Sequence, residues 1–151
     1  MKIAVSSDER TSLVDTILSE LDKHGHEAVY FGPQPGEKEM DWPVVTVDAA
    51  EQVAQGKANE AIVMCWTGTG STLAANKVPG IRAALVHDAE TARGAHVWNH
   101  ANVLALSLRA TSDALAKEIL KTWFATTLSD DEWNVKQMVR IRELEEKYSK
   151  S

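Results

Sequence analysis

Short apolar runs alternate along the chain with stretches whose apolar residues recur every third or fourth position. Lys2–Ser7 is a short apolar run and predicts a buried strand. Arg10–His24 carries Leu13, Val14, Ile17, Leu18 and Leu21 at helical spacing, and Gly25 stops it. His26–Phe31 predicts a second strand, and Gly32–Met40, with two prolines and two glycines, a loop. Asp41 can cap a helix that starts near Pro43 and ends at Gly56. Ala61–Cys65 is a third strand. Ser71–Lys77 is a short helix, closed by Val78-Pro79-Gly80. Ile81–Val86 is a fourth strand, Asp88–Val97 a fourth helix and Asn102–Ser107 a fifth strand. Ser112–Thr126 is a helix with Leu115, Ile119, Leu120, Trp123 and Phe124 on its apolar side. Asp130–Tyr148 is a charged final helix with a stripe of Met138, Ile141, Leu144 and Tyr148.

Strand and helix alternate five times. This pattern predicts an α/β fold, a three-layer doubly wound sandwich with a five-stranded parallel sheet and an extra C-terminal helix. Residues 1–151 form a single domain, with no repeat, low-complexity segment or linker. A helix as polar as 130–148, with one narrow apolar stripe, packs on a partner subunit or on its own domain; the expectation carried forward is a subunit interface. Ligands of such sheets bind at the carboxyl ends of the strands. The positions to inspect are therefore Ser7, Asp8, Glu9, Cys65 to Ser71, His87, Asp88 and Arg109.

Charge and composition narrow the class. A net charge of −6 and a pI near 5.3 argue against general nucleic-acid binding. A single cysteine excludes an intrachain disulfide framework and fits a reducing compartment. The apolar part of Met1–Ser7 is too short for a signal peptide, and no run approaches membrane-spanning length. The expectation is a cytoplasmic protein without a membrane partner.

The chemistry concentrates in Ala61-Ile-Val-Met-Cys65-Trp-Thr-Gly-Thr-Gly70-Ser-Thr-Leu-Ala-Ala-Asn-Lys77. An apolar run ends at the thiol, a glycine-rich turn follows, and Ser71 or Thr72 opens a helix. This order sets one sulfur beside a loop of backbone N–H groups. Helix N-termini favour anions and promote the thiolate. A thiolate next to an anion-binding turn suits proton abstraction beside a carbonyl, because the N–H groups can hold the developing enolate oxygen. The competing reading is a buried structural cysteine beside a tight turn. Gly68-Thr-Gly70 is not a dinucleotide fingerprint: it does not follow the first strand, and Leu73 stands at the third glycine. There is no Gly-Lys-Ser/Thr element, and the five histidines lack the spacing of metal ligands, so neither cofactor nor metal is expected. His24 and His26 flank a turn and read as solvated. Asp8 is either a helix cap or a ligand for sugar hydroxyls.

Taken together, Met1-Lys-Ile-Ala-Val with Ser7-Asp8, Asp41-Trp-Pro43, Cys65-x-Thr67-Gly-x-Gly70, Ala74-Ala-Asn-Lys-Val-Pro-Gly-Ile-Arg-Ala-Ala84, Asn99-x-x-Asn102-Val-Leu-Ala105 and Arg109 resemble the ribose-5-phosphate isomerase B family. That family includes the paired-subunit galactose-6-phosphate isomerases. The resemblance runs collinearly from residue 1 to about 125. It implies a metal-free aldose–ketose isomerase of sugars or sugar phosphates, working as a homodimer or tetramer with sites shared between subunits. Cys65 would be the base that moves a proton between C1 and C2 through an enediolate, and Thr67 would assist proton movement between the oxygens. The N–H groups of Trp66, Thr67, Gly68, Thr69, Gly70 and Ser71 would hold the oxyanion. Asp8 would bind sugar hydroxyls, and Arg109 matches a phosphate-binding arginine. Asn99, His100 and Arg109 would come from a second chain.

The departures cluster around ring opening and phosphate. Glu9 stands where the family has histidine after the aspartate, and Trp98 stands where a ring-opening histidine is common, two residues before His100. The late Gly-Gly-Arg-His-x-x-Arg clamp is replaced by Asp130-Asp-Glu-Trp-Asn-Val-Lys136-Gln, with Lys136 and Arg140 further along the helix. The proton-transfer elements remain while these change, which implies an altered substrate choice. The alternative is a non-catalytic sugar-binding or regulatory homologue: the lost clamp argues for it, and the intact Cys65 and Thr67 argue against it.

Overall fold

The computed structural model describes residues Met1–Ser149. Five strands, β1 (Lys2–Ser7), β2 (Glu27–Phe31), β3 (Glu60–Cys65), β4 (Ala83–Leu85) and β5 (Val103–Ser107), form one parallel sheet in the order β2-β1-β3-β5-β4. Six helices accompany them: α1 (Ser12–Lys23), α2 (Trp42–Ala54), α3 (Thr69–Ala75), α4 (Ala89–Asn99), α5 (Asp113–Ala125) and α6 (Glu132–Tyr148). The expected doubly wound sheet is present, with α6 as the extra element. Among the described residues no helix is long and apolar enough to cross a membrane.

Side-chain alternation along the strands explains the two layers. Ile3, Val5, Ile62, Met64, Leu104 and Leu106 point to one face and pack on Leu13, Ile17, Leu21, Ala92, Ala95, Ile119 and Trp123 of α1, α4 and α5. Ala4, Ala61, Val63, Val103 and Ala105 point to the other and pack on Ala49, Ala50 and Ala75 of α2 and α3. Small residues let those two helices lie close to the sheet. Each large buried aliphatic on the first face contributes about 1.5–3 kcal/mol of burial, so that face holds most of the core.

Helix starts follow local chemistry. The side chains of Asp88, Ser112 and Asp131 accept from Thr91 N, Leu115 N and Asn134 N. Asp41 precedes α2 as expected but makes no side-chain cap bond. Asp8 is not a helix cap, because α1 begins later, after Thr11. The third helix starts at Thr69, two residues before the expected Ser71, and β4 shrinks to Ala83–Leu85. His26 is not simply solvated: its ring centroid lies 4.3 Å from that of Phe124, and burial lowers its pKa, helped by the nearby N-terminal ammonium.

The strand order is what periodicity could not supply. The chain leaves β1 for β2 on one side and then crosses to β3 on the other, making a switch point between β1 and β3. Ligand crevices of doubly wound sheets open at such points, beyond the carboxyl ends of the strands. Ser7 is level with Met64 in the ladder, so Asp8 and Cys65 come next to each other at that opening.

Candidate active site

Cys65 is the last residue of β3 and is 5% exposed. Gly68 then turns the chain with φ +76°, a left-handed conformation that costs an L-residue about 1–2 kcal/mol. A Cβ there would also stand 2.5 Å from Leu85 Cδ1 and 3.0 Å from the Leu106 carbonyl carbon. The tight turn folds α3 back over the thiol. Ser71, fully buried, donates its backbone N–H to Cys65 Sγ at 3.4 Å and its hydroxyl to the same sulfur at 3.2 Å. Ser71 was expected among the substrate-binding residues; here both its donors face the sulfur.

Backbone N–H groups of Thr67, Gly68, Thr69 and Gly70 find no acceptor among the described residues. These four donors lie in the turn between Cys65 and Ser71. Thr67 is exposed, with its hydroxyl 2.7 Å from that of Thr69. Trp66 is 57% exposed on the rim. Trp42, at the start of α2, covers Gly70, where an added Cβ would meet the indole at 3.1–3.3 Å. The Asp41-Trp-Pro43 motif was visible in the sequence; that its indole roofs the glycine turn was not.

Asp8 supplies the carboxylate of the site. Its Oδ1 is buried and has no hydrogen-bond partner among the described residues. Burial raises the Asp8 pKa above the ordinary carboxyl value, against backbone N–H bonds that lower it, and the Glu9 charge raises it further. A buried oxygen without a donor is costly unless something else supplies one. Glu9 follows at the same opening; its carbonyl accepts from the Ser7 hydroxyl at 2.6 Å.

Arg109 lies on this chain's own edge of the site. Its backbone N–H donates to Trp66 O at 3.1 Å, and the side chain is exposed. Because β5 neighbours β3, the residues after both strands meet within one protomer. Of the other two strand-end residues, His87 is exposed and Asp88 is committed to capping α4.

Trp98, Asn99 and His100 lie at the opposite end of the sheet. Helix α4 starts on the Cys65 side and runs about 16 Å back toward the start of β5. These three residues cannot join Cys65 within one chain. Trp98 is 51% exposed, with its ring over Gly94 and the Arg93 guanidinium carbon 5.1 Å from the ring centroid. His100 has φ +47°, and its Nε2 lies 2.7 Å from Ser129 O and 3.2 Å from Asn134 Nδ2. That imidazole is engaged by the segment leading into α6. Asp131, expected to bring negative charge near a phosphate, is held below the usual carboxylate range by the Ser129 hydroxyl and the Asn134 N–H, which it caps. Among the described residues, no three His, Cys, Asp or Glu side chains converge as a metal site would require.

The arrangement as a whole is a sulfur with two donors, a ring of free N–H groups and a desolvated carboxylate, at the carboxyl edge of a parallel sheet. Similarity to known proteins covers almost the whole chain. Residues 3–142 match the family model described as Ribose/Galactose Isomerase. A ribose-5-phosphate isomerase B structure from Clostridium thermocellum superposes with a TM-score of 0.92 at 37% identity, covering 99% of this chain and 100% of that one. D-erythrulose-4-phosphate isomerase of Pectobacterium atrosepticum is 36% identical over 124 residues, 82% of each chain. Ribose-5-P isomerase B of Listeria innocua is 32% identical over 130 residues, 85% of this chain and 87% of its own. The protein belongs to the ribose/galactose isomerase family.

Proposed function

We propose that the protein is an aldose–ketose isomerase of phosphorylated sugars, with Cys65 as the base, acting preferentially on an open-chain four-carbon substrate. One observation carries the catalytic part. Cys65 and Asp8, whose Oδ1 is buried without a partner, follow adjacent strands at the β1/β3 opening, and the turn after Cys65 carries backbone N–H groups with no acceptor among the described residues. The thiolate takes a proton from C1 of the ketose. The C1–H electron pair becomes the C1=C2 bond, and the charge passes to O2, where the turn's N–H groups hold it. Returning the proton to C2, with a proton moved between O2 and O1 beside Thr67, completes the aldose. Asp8 accepts a sugar hydroxyl. Arg109 is the cation on this edge suited to the phosphate.

The substrate length follows from what the site lacks. Indole only donates, so Trp98 cannot pass a proton to and from a ring oxygen. His100, the nearby imidazole, is engaged with Ser129 and Asn134. A tetrose 4-phosphate cannot close a furanose ring, because its terminal oxygen is esterified. The D-erythrulose-4-phosphate isomerase relative points the same way.

The site is completed by a second copy of the chain, which brings Trp98 and Asn99 from the far end of its α4. The exposed stripe of Ile141, Leu144 and Tyr148 on α6 supplies apolar surface for that association.

Isomerase assays on four-, five- and six-carbon aldose and ketose phosphates and their free sugars, with proton exchange followed in deuterated water, test this reading. The expected result is label at C1 or C2 and a higher kcat/KM for the four-carbon phosphate. Preference for a cyclising pentose phosphate, unaffected by His100→Ala, overturns the substrate assignment. Binding without exchange on any substrate leaves the non-catalytic homologue.

A further inference from the structure

We infer that Ser71 is a positioning residue whose hydroxyl sets the ionisation of Cys65, donating to the thiolate and accepting from the thiol. The inference rests on the reading of Cys65 as the base. It comes from a count of donors and acceptors in a closed space. Ser71 is fully buried, and its Oγ lies 3.2 Å from Cys65 Sγ and 3.3 Å from Gly68 O. A hydroxyl has one proton to give. A serine early in a helix ordinarily gives it to the carbonyl three or four residues back. Here that carbonyl is already occupied: Gly68 O accepts from Thr72 N at 3.1 Å and from the Thr72 hydroxyl at 2.7 Å. Thr72 thus crowds that carbonyl with two shorter bonds, which leaves the charged sulfur the better acceptor for the Ser71 proton and Gly68 O, at 3.3 Å, the weaker alternative.

Cys65 needs such a donor because a buried anion without hydrogen bonds is strongly disfavoured. The Ser71 backbone N–H gives one bond to the sulfur and cannot turn away. The hydroxyl can rotate. With sulfur charged, O–H points at it. With sulfur protonated by the substrate's carbon-bound proton, S–H points at the Ser71 oxygen and the hydroxyl proton swings toward Gly68 O. No covalent bond at Ser71 changes, and no backbone movement is required. The charged groups on neighbouring elements of this edge are Asp8, Glu9 and Arg10 after β1, Glu39 and Asp41 before α2, His87 and Asp88 after β4, and Arg109 after β5. Substitution of Ser71 leaves all of them in place.

The lone cysteine makes the test direct, since the only thiolate signal in the chain is that of Cys65. Thiolate absorbance near 240 nm is followed against pH for the full-length protein, with Cys65→Ala as the blank. In Ser71→Ala the titration midpoint is expected to move up by about one pH unit, leaving about tenfold less thiolate at a pH below it. Thr72→Ala frees a lone pair of Gly68 O to compete for the Ser71 proton, and its midpoint is expected to move the same way by less. Ser71→Thr keeps the hydroxyl and is expected to hold the midpoint near that of the wild type. The acid limb of kcat moves with the midpoint, while KM stays nearly constant. Unchanged midpoints in both Ser71→Ala and Thr72→Ala overturn the inference, whatever their effect on Tm. If Ser71→Ala fails to fold, Thr72→Ala alone decides. A moved midpoint with an unmoved acid limb supports the role of Ser71 and instead removes Cys65 as the base.

Discussion

The two ends of β3 each hold a chemically demanding side chain, and they treat it in opposite ways. Glu60 opens the strand, and both its oxygens are satisfied within the chain. Oε1 lies 3.1 Å from His96 Nε2, and Oε2 accepts from Trp123 Nε1 at 2.6 Å. The His96 ring stacks on Trp123 with centroids 4.5 Å apart. At the other end, the donors that reach Cys65 come from the turn it begins, the adjacent N–H groups point at nothing, and Asp8 Oδ1 is left bare. Burial alone does not separate structural from functional polar groups. Between the carboxylates Glu60 and Asp8, the difference is that the chain completes the hydrogen bonds of both Glu60 oxygens and leaves Asp8 Oδ1 without one. The Glu60 cluster ties α4 and α5 to the base of the sheet. The Cys65 end leaves backbone donors and the Asp8 Oδ1 acceptor open among the described residues.

Cys65→Ala should give the largest effect. Isomerisation is expected to fall by at least about 10²-fold with little change in Tm, since alanine fills a small apolar space. A folded variant that keeps more than a tenth of wild-type activity would falsify the base assignment. Gly68→Ala should break the same end by shape. Its Cβ overlaps Leu85 and the Leu106 backbone in a left-handed conformation. Overpacking of about 1–3 kcal/mol adds to the conformational penalty, so activity and stability drop together in paired denaturation and rate measurements.

Glu60→Ala inverts the first result. It orphans His96 Nε2 and Trp123 Nε1 at a cost of about 1–3 kcal/mol for each buried group. Calorimetry should show Tm lower by several degrees while kcat at permissive temperature is kept. A loss of kcat without a loss of Tm would show that the two ends are coupled.

Asp8→Asn gives the smallest and most discriminating change. Because burial raises its folded pKa, the stability associated with this carboxyl is fully present below its unfolded pKa. It is lost as pH rises through the folded value. Replacing the acid should therefore raise Tm at neutral pH and flatten its decline across the acidic range, while turnover falls by about tenfold as a charge-assisted bond becomes a neutral one. Thermal melts from acid to neutral pH test the sign; a lower Tm at neutral pH would place Asp8 among the structural carboxylates with Glu60.

Much of the site was legible as one-dimensional order. The apolar run ending at Cys65, the glycines after it and the motif around Asp8 each announce themselves within a few residues. The same holds for the five strands, because alternation and helical spacing are local properties, for the helix starts at Asp88 and Ser112, and, one residue off, for the start at Asp131. Only the tertiary structure decided that β5 slots between β3 and β4, which brings Arg109 to its own chain's turn and sends Trp98 to the far edge. The same is true of the Glu60–His96–Trp123 cluster, whose members are 36 and 63 residues apart from Glu60 in sequence. Periodicity fixes which face of an element is buried; it carries no information about which element arrives there. Even the contact between Ser71 and Cys65, only six residues apart, depends on the left-handed turn at Gly68 and on Thr72 occupying the nearest carbonyl. A hydroxyl's partner is chosen by what remains unsatisfied around it, and that is known only once the chain has closed.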